Sequence, residues 1–104
     1  MNDMTRSKLY GMISLAMKAR RLAVGEERAK EAVRSGEAYL VIIANDASEN
    51  TKKKFSDMAA YRSIPLISIF DRYQFGKLIG KKFSVSAAIT DKGFADNIIR
   101  LYEM

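Results

Sequence analysis

The segment Ala38-Tyr39-Leu40-Val41-Ile42-Ile43-Ala44 constrains the fold of this chain more than any other. It is a continuous apolar run without strict alternation, so it reads as a β-strand with neither face left for water. Helices must then cover it on both sides. Gly36 precedes the run, and Asn45-Asp46-Ala47-Ser48 follows it as a turn in which Ser48 is a good helix N-cap. At 104 residues, 48% of them hydrophobic, the chain can build one domain with a modest core and is too short for two.

The flanking patterns supply the cover. Leu9, Met12, Ile13, Ala16 and Met17 fall on one face of a helix from about Thr5 to Arg20, capped by Thr5 or Ser7, with Lys18, Arg20 and Arg21 suiting its C-terminal dipole. The methionine pair reads as core packing rather than a cofactor box. Leu22-Ala23-Val24 is a short strand. A helix from Glu26 to Ser35 follows, with Ala29, Ala32 and Val33 inward and Gly36 as its C′ residue. Beyond Ser48 a helix turns Phe55, Met58 and Ala59 to one side and the Lys52-Lys53-Lys54 triplet to solvent. Ile64-Pro65 closes that region, and Leu66-Ile67-Ser68-Ile69-Phe70 is the next strand. Asp71 caps a short helix through Tyr73, Phe75, Leu78 and Ile79 that ends at Gly80. After a basic loop, Val85-Ser86-Ala87-Ala88-Ile89 is the last strand, and Asp91 caps a final helix that packs Phe94, Ile98, Leu101 and Tyr102 inward. Helices and strands alternate with no linker or repeat. The expected fold is one α/β/α sandwich over residues 1–104 around a four-stranded sheet, whose strand directions the pattern alone leaves open.

Composition excludes several classes of function. The chain has no Cys, hence no disulfide framework, iron–sulfur site or thiolate nucleophile, and no His for zinc, a catalytic triad or proton transfer near neutral pH. No apolar run approaches the roughly 20 residues that span a bilayer, and Met1-Asn2-Asp3-Met4 does not open a signal peptide. A cytoplasmic protein without a membrane partner is expected. Lys plus Arg total 18 against 12 Asp plus Glu, a net charge of +6. The first 34 residues hold +4 of that excess, which favours a polyanionic partner.

In such a sandwich, ligands gather where loops leave the carboxyl ends of strands. Three segments qualify: Val24-Gly25-Glu26-Glu27-Arg28, Ala44-Asn45-Asp46, and the rim from Gly80 to Ser86. The first turns a strand into a helix N-terminus at Gly25, flanked by Arg20, Arg21 and Arg28, where backbone amides and the helix dipole favour anions. Glu26 and Glu27 repel a bare phosphate, so the mixture of guanidinium, carboxylate and backbone donors suits base edges better than a nucleoside triphosphate. Neither G-x-x-x-x-G-K-[ST] nor G-x-G-x-x-G is present. Asp46 reads first as a turn former; an alternative gathers Glu26, Glu27 and Asp46 around magnesium in a small enzyme or nucleotide-binding module. A protein–protein adaptor is the third reading.

Taken in order, these segments resemble the L7Ae family of ribosomal proteins, which shares its fold with the L30e proteins, and more narrowly its small bacterial YlxQ-like members. The resemblance spans almost the whole chain. It rests on Ala19-Arg20-Arg21-Leu22-Ala23-Val24-Gly25-Glu26-Glu27, on Leu40-Val41-Ile42-Ile43-Ala44-Asn45-Asp46-Ala47-Ser48 and on Ile64-Pro65. Gly76-Lys77-Leu78-Ile79-Gly80-Lys81 and Ala87-Ala88-Ile89-Thr90-Asp91-Lys92-Gly93-Phe94 complete it. It implies an α/β/α sandwich with a mixed sheet that binds kink-turn RNA, in which a three-nucleotide bulge and tandem sheared G·A pairs bend the duplex. The family reads guanine edges from the start of the second helix, while an apolar loop before the last strand covers the splayed bulge. RNA specificity generally lies in such distorted, unstacked elements.

Carried over by position, the resemblance implies an RNA-binding set of Arg20, Arg21, Gly25, Glu26, Glu27, Arg28, Glu31, Asn45, Asp46, Lys81, Lys82, Phe83, Ser84, Val85 and Ser86. The family's usual run after the glycine is Thr-Asn-Glu-x-x-Lys or Thr-Lys-Gln-x-x-Lys. Here Glu27 replaces an amide or ammonium, Arg28 replaces Glu or Gln, and Glu31 stands at the usual lysine with Lys30 adjacent. Phe83 reads equally as a stacking platform for an extruded base or as a hydrophobic plug at the strand start. The implied protein is a monomeric, non-catalytic binder of ribosomal or other structured RNA, with the ribosome as a candidate assembly and no cofactor, metal or catalytic residue.

Overall fold

A computed structural model describes residues 1–104, in nine elements. In chain order these are α1 (Asp3–Lys18), β1 (Leu22–Val24), α2 (Glu26–Arg34), β2 (Leu40–Ile43), α3 (Glu49–Tyr61), β3 (Leu66–Ser68), α4 (Arg72–Leu78), β4 (Ser86–Ile89) and α5 (Lys92–Tyr102). Three of the N-caps are those expected from sequence: Ser48, Asp71 and Asp91 each accept a first-turn amide, and Asp71 forms a full capping box with Gln74. The first helix differs. Its cap is Asn2, whose side chain accepts from the Thr5 amide, so neither Thr5 nor Ser7 caps it. It stops at Lys18 rather than Arg20, and Arg20 takes a left-handed φ of 59° just past its end.

The sheet order is β1-β4-β2-β3, with β2 and β3 parallel and β4 antiparallel to both β1 and β2. The sheet is therefore mixed, as the resemblance implied. Successive residues of β2 face opposite cores. Leu40 and Ile42 join Leu9, Ile13 and Ala16 of α1, Phe75 of α4, and Ala95 and Ile98 of α5. Val41 and Ile43 join Ala29, Ala32 and Val33 of α2 with Phe55 and Ala59 of α3. Helices thus cover both faces of the sheet, which is the physical reason that the Ala38–Ala44 run lacks alternation. Met12 and Met17 pack against the first core as half-buried side chains, and so do Phe94, Leu101 and Tyr102. The lysine triplet lies on the surface, with Lys52 3.8 Å from Glu49, Lys53 3.0 Å from Asp57 and Lys54 3.4 Å from Glu26. No helix is long and apolar enough to cross a membrane.

Strand direction positions the site. Because β4 opposes the other three strands, its start lies at the same sheet end as the C-terminal ends of β1, β2 and β3. The β1–α2, β2–α3 and β3–α4 turns and the loop from α4 to β4 therefore share one end of the molecule.

Candidate nucleic-acid interface

Backbone hydrogen bonds tie these four connections together. The Gly25 amide donates to the Ser86 carbonyl at 3.0 Å, and the Ala44 amide to the Val85 carbonyl at 2.9 Å. The Asn45 amide donates to the Phe70 carbonyl at 2.7 Å, and the Ser84 amide to the Arg72 carbonyl at 3.0 Å. Gly25, Asn45, Asp46 and Ser84 through Ser86 accordingly meet at one rim. Gly25 is the N-cap of α2 at φ 93°, ψ 164°, a conformation that only glycine adopts without strain. It carries no side-chain cap, which leaves the first-turn amides of α2 open to an acceptor from outside the protein.

The loop before β4 owes its shape to a residue that the pattern of apolar positions does not single out. Gly76 lies inside α4 with Phe83 directly against it: an added Cβ would sit 2.5 Å from Phe83 Cα, 2.7 Å from its nitrogen and 2.8 Å from the Lys81 carbonyl oxygen. Lys81 donates its amide back to the Gly76 carbonyl at 2.8 Å. Lys81, Lys82 and Phe83 consequently project outward, while Ser84 and Ser86 turn inward. Phe83 is 60% exposed, so it is not a hydrophobic plug; Val85, half-buried against the core, fills that role. Ser86 is fully buried, and its hydroxyl oxygen finds no partner.

The carboxylates do not converge. Glu26 lies 3.4 Å from Lys54 and Glu27 lies 3.2 Å from Lys30. Asp46 is engaged by Arg72: its carboxylate accepts the Arg72 amide at 2.9 Å and Nε at 3.2 Å, and its carbonyl accepts Nη2 at 2.6 Å. Asn45 accepts from the Ser68 hydroxyl at 2.9 Å. No group of three acidic side chains is placed to hold a metal ion, which removes the basis of the magnesium reading. Asp46 thereby ties the β2–α3 turn to the start of α4, a link across 26 residues that no local pattern announces.

Arg20, Arg28 and Lys81 have no ion-pair partner within 4 Å, and they line one groove along the outer edge of β1. A second hollow beside it is lined by Arg20, Arg28, Glu31, Glu37 and Thr90. Arg21 lies at the opposite end of β1, with its carbonyl accepting the Thr90 amide at 2.9 Å, and its exposed side chain borders neither hollow. Lys82 likewise stands free on the loop. Away from this face, Lys92 has its ammonium pKa raised by the hydrogen bond it donates to Asp96, with the charge of that carboxylate adding to it.

Fold and rim together define a small α/β/α domain with a mixed sheet, four connections gathered at one sheet end and a cation-lined groove along the outer edge of β1. Residues 7–99 match the model of the family described as "Ribosomal protein L7Ae/L30e/S12e/Gadd45 family", and the chain belongs to that family. It is 41% identical over 103 residues to "RNA-binding protein YlxQ" of Enterococcus faecium, covering 99% of each chain. It is 35% identical over 100 residues to "RNA-binding protein YlxQ" of Bacillus subtilis (strain 168), covering 96% of this chain and all of that one. Among solved structures, a protein of unknown function from Bacillus halodurans superposes with a TM-score of 0.89 at 35% identity, over 93% of this chain and 98% of that one. The 15.5 kD RNA binding protein of Giardia lamblia shares the fold at 20% identity, with a TM-score of 0.81 over 99% of this chain and 91% of that one.

Proposed function

We propose that this protein is a non-catalytic RNA-binding protein that recognises a kink-turn or a similarly bent RNA, ribosomal or regulatory, and acts as a cytoplasmic monomer. The observation that carries the reading is one surface. The uncapped start of α2 and the exposed Phe83 lie at one end of the sheet, and the unpaired Arg28 and Lys81 share with Arg20 a groove that runs from there along the outer edge of β1. Backbone donors and guanidinium groups suit guanine edges and phosphates, and an exposed aromatic ring suits an unstacked base. Two full-length relatives named as RNA-binding proteins support the same class.

Arg28 separates base reading from charge. If it donates to a guanine edge, Arg28→Ala costs roughly 1–3 kcal/mol on the preferred RNA and much less on a random duplex. Parallel titrations of the two RNAs measure this, and equal losses would limit Arg28 to phosphate contact.

Glu31 gives a test of opposite sign. Its side chain borders the hollow that Arg20 and Arg28 share. Glu31→Lys places a cation there and converts a like-charge i,i+4 relation with Glu27 into an attractive one, supporting the helix by a few tenths of a kcal/mol. Tighter binding to a consensus kink-turn at low salt is expected, with an unchanged circular-dichroism spectrum. Weaker binding would mean that the carboxylate itself contacts the natural RNA.

A further inference from the structure

The groove along the outer edge of β1 is large, concave and of one sign. Its volume is about 630 Å³ and its lining is Met17, Arg20, Leu22, Val24, Arg28, Ile79 and Lys81. Small-molecule sites typically occupy about 300–1,000 Å³, with an apolar surface and a few placed polar groups. Here the apolar part comes from Met17, Leu22, Val24 and Ile79, and the polar part from three cations without a protein partner. We infer that this groove is a nucleotide site, which takes one unstacked ribonucleotide with its base against Met17, Leu22, Val24 and Ile79 and its phosphate on Arg20, Arg28 and Lys81.

Backbone geometry supports a ligand at Arg20. It stands two residues past α1, where the Arg21 amide closes onto the Ala16 carbonyl at 2.8 Å and the intervening residue must take a left-handed φ. Glycine is the usual occupant of such a position, and another residue held there is strained. The guanidinium lines the groove and pairs with no carboxylate, so no intramolecular ion pair offsets that strain. Charge sets the orientation. Glu31 and Glu37 border the adjoining hollow, which shares Arg20 and Arg28 with the groove but not Lys81, so the phosphate belongs towards Lys81. An apolar floor with an entirely cationic rim fits a nucleotide better than a peptide, which would leave backbone polar groups unsatisfied on that floor.

The proposal rests on the RNA-binding reading for the source of the nucleotide, which is either an extruded residue of a bound strand or a free mononucleotide. The test is a titration of the full chain with the four ribonucleoside 5′-monophosphates, followed through backbone amide shifts in NMR. Shifts are expected at Leu22, Val24, Ile79 and Lys81, with the unphosphorylated nucleosides at least about tenfold weaker. Arg20→Gly removes the cation and relieves the strained φ, so affinity should fall by about three- to tenfold while the melting temperature does not drop. A structured RNA that displaces the mononucleotide identifies the strand as the source. Mononucleotide binding in the groove without any RNA binding upholds the site and removes the RNA reading instead. RNA bound while the groove amides stay unmoved, or mononucleotide shifts confined to Asn45, Asp46 and Ser84, would overturn the proposal and leave RNA binding standing.

Discussion

Replacing Gly76 with alanine should lower both the stability of this protein and its affinity for RNA, although alanine is the better helix former. Helix propensity alone would favour the substitution by about 0.8–1.0 kcal/mol. Steric overlap opposes it and is larger. The new Cβ would meet Phe83 Cα at 2.5 Å and two further backbone atoms below 3.0 Å, none of which can rotate away as a side-chain tip would. Overpacking of this kind costs about 1–3 kcal/mol. A net loss near 1 kcal/mol lowers the melting temperature of a domain of this size by about 4–8 °C. The loop is what moves, and it carries Lys81, Lys82 and Phe83 away from the rim. Thermal unfolding and RNA titration of the same sample read both effects. A variant as stable and as tightly binding as the parent would show that the loop is not seated on Gly76.

Reversing charge at Arg20, Arg21, Lys81 and Lys82 with glutamate should nearly abolish RNA binding while leaving the fold intact. All four side chains are exposed and none takes part in an ion pair. Two units of charge change at each position, so the net charge moves from +6 to −2. Each phosphate that the variant no longer neutralises lowers the log–log salt slope by about 0.7–0.9. The structure also ranks the positions. Arg20 and Lys81 share the groove with Arg28, whereas the Arg21 side chain borders neither hollow, so Arg21→Glu alone should have the smallest effect. A quadruple variant that binds RNA as the parent does across a salt series would place the interface elsewhere.

Much of the fold was legible because it is written in local chemistry. Ser48, Asp71 and Asp91 are short polar side chains directly before helical patterns, and each caps the helix expected of it. The inward residues of α2, namely Ala29, Ala32 and Val33, follow from helical period alone. Strand direction was not legible that way. A strand buried on both faces carries the same apolar pattern whichever way it runs, and the mixed sheet was anticipated through the family resemblance. At the first helix, Asn2 captures the Thr5 amide one turn ahead of the capping residues that the sequence favours.

The rim itself was partly legible. Two of its three segments leave strands at one sheet end and the third enters β4 there, but their internal hydrogen bonds and ion pairs join residues far apart in the chain. Arg72 engages Asp46 and Lys54 engages Glu26, which separates the carboxylates that the sequence allowed to converge. Gly76 did offer a signal. A glycine inside a helical pattern commonly has a packing reason, here the close backbone approach of Phe83. Arg20 offered none, since a non-glycine residue in the left-handed region is invisible until the helix end is located.

The most direct measurement is equilibrium binding of the full chain to a consensus kink-turn RNA and to a duplex of equal length and composition without the bulge, each over a series of salt concentrations. Both affinities should fall as salt rises, because binding to phosphates releases counterions. The kink-turn should stay tighter at every concentration by at least about tenfold, or ~1.4 kcal/mol. Equal affinity for the two RNAs at all salts, or no binding to either, would contradict recognition of a bent RNA at this face.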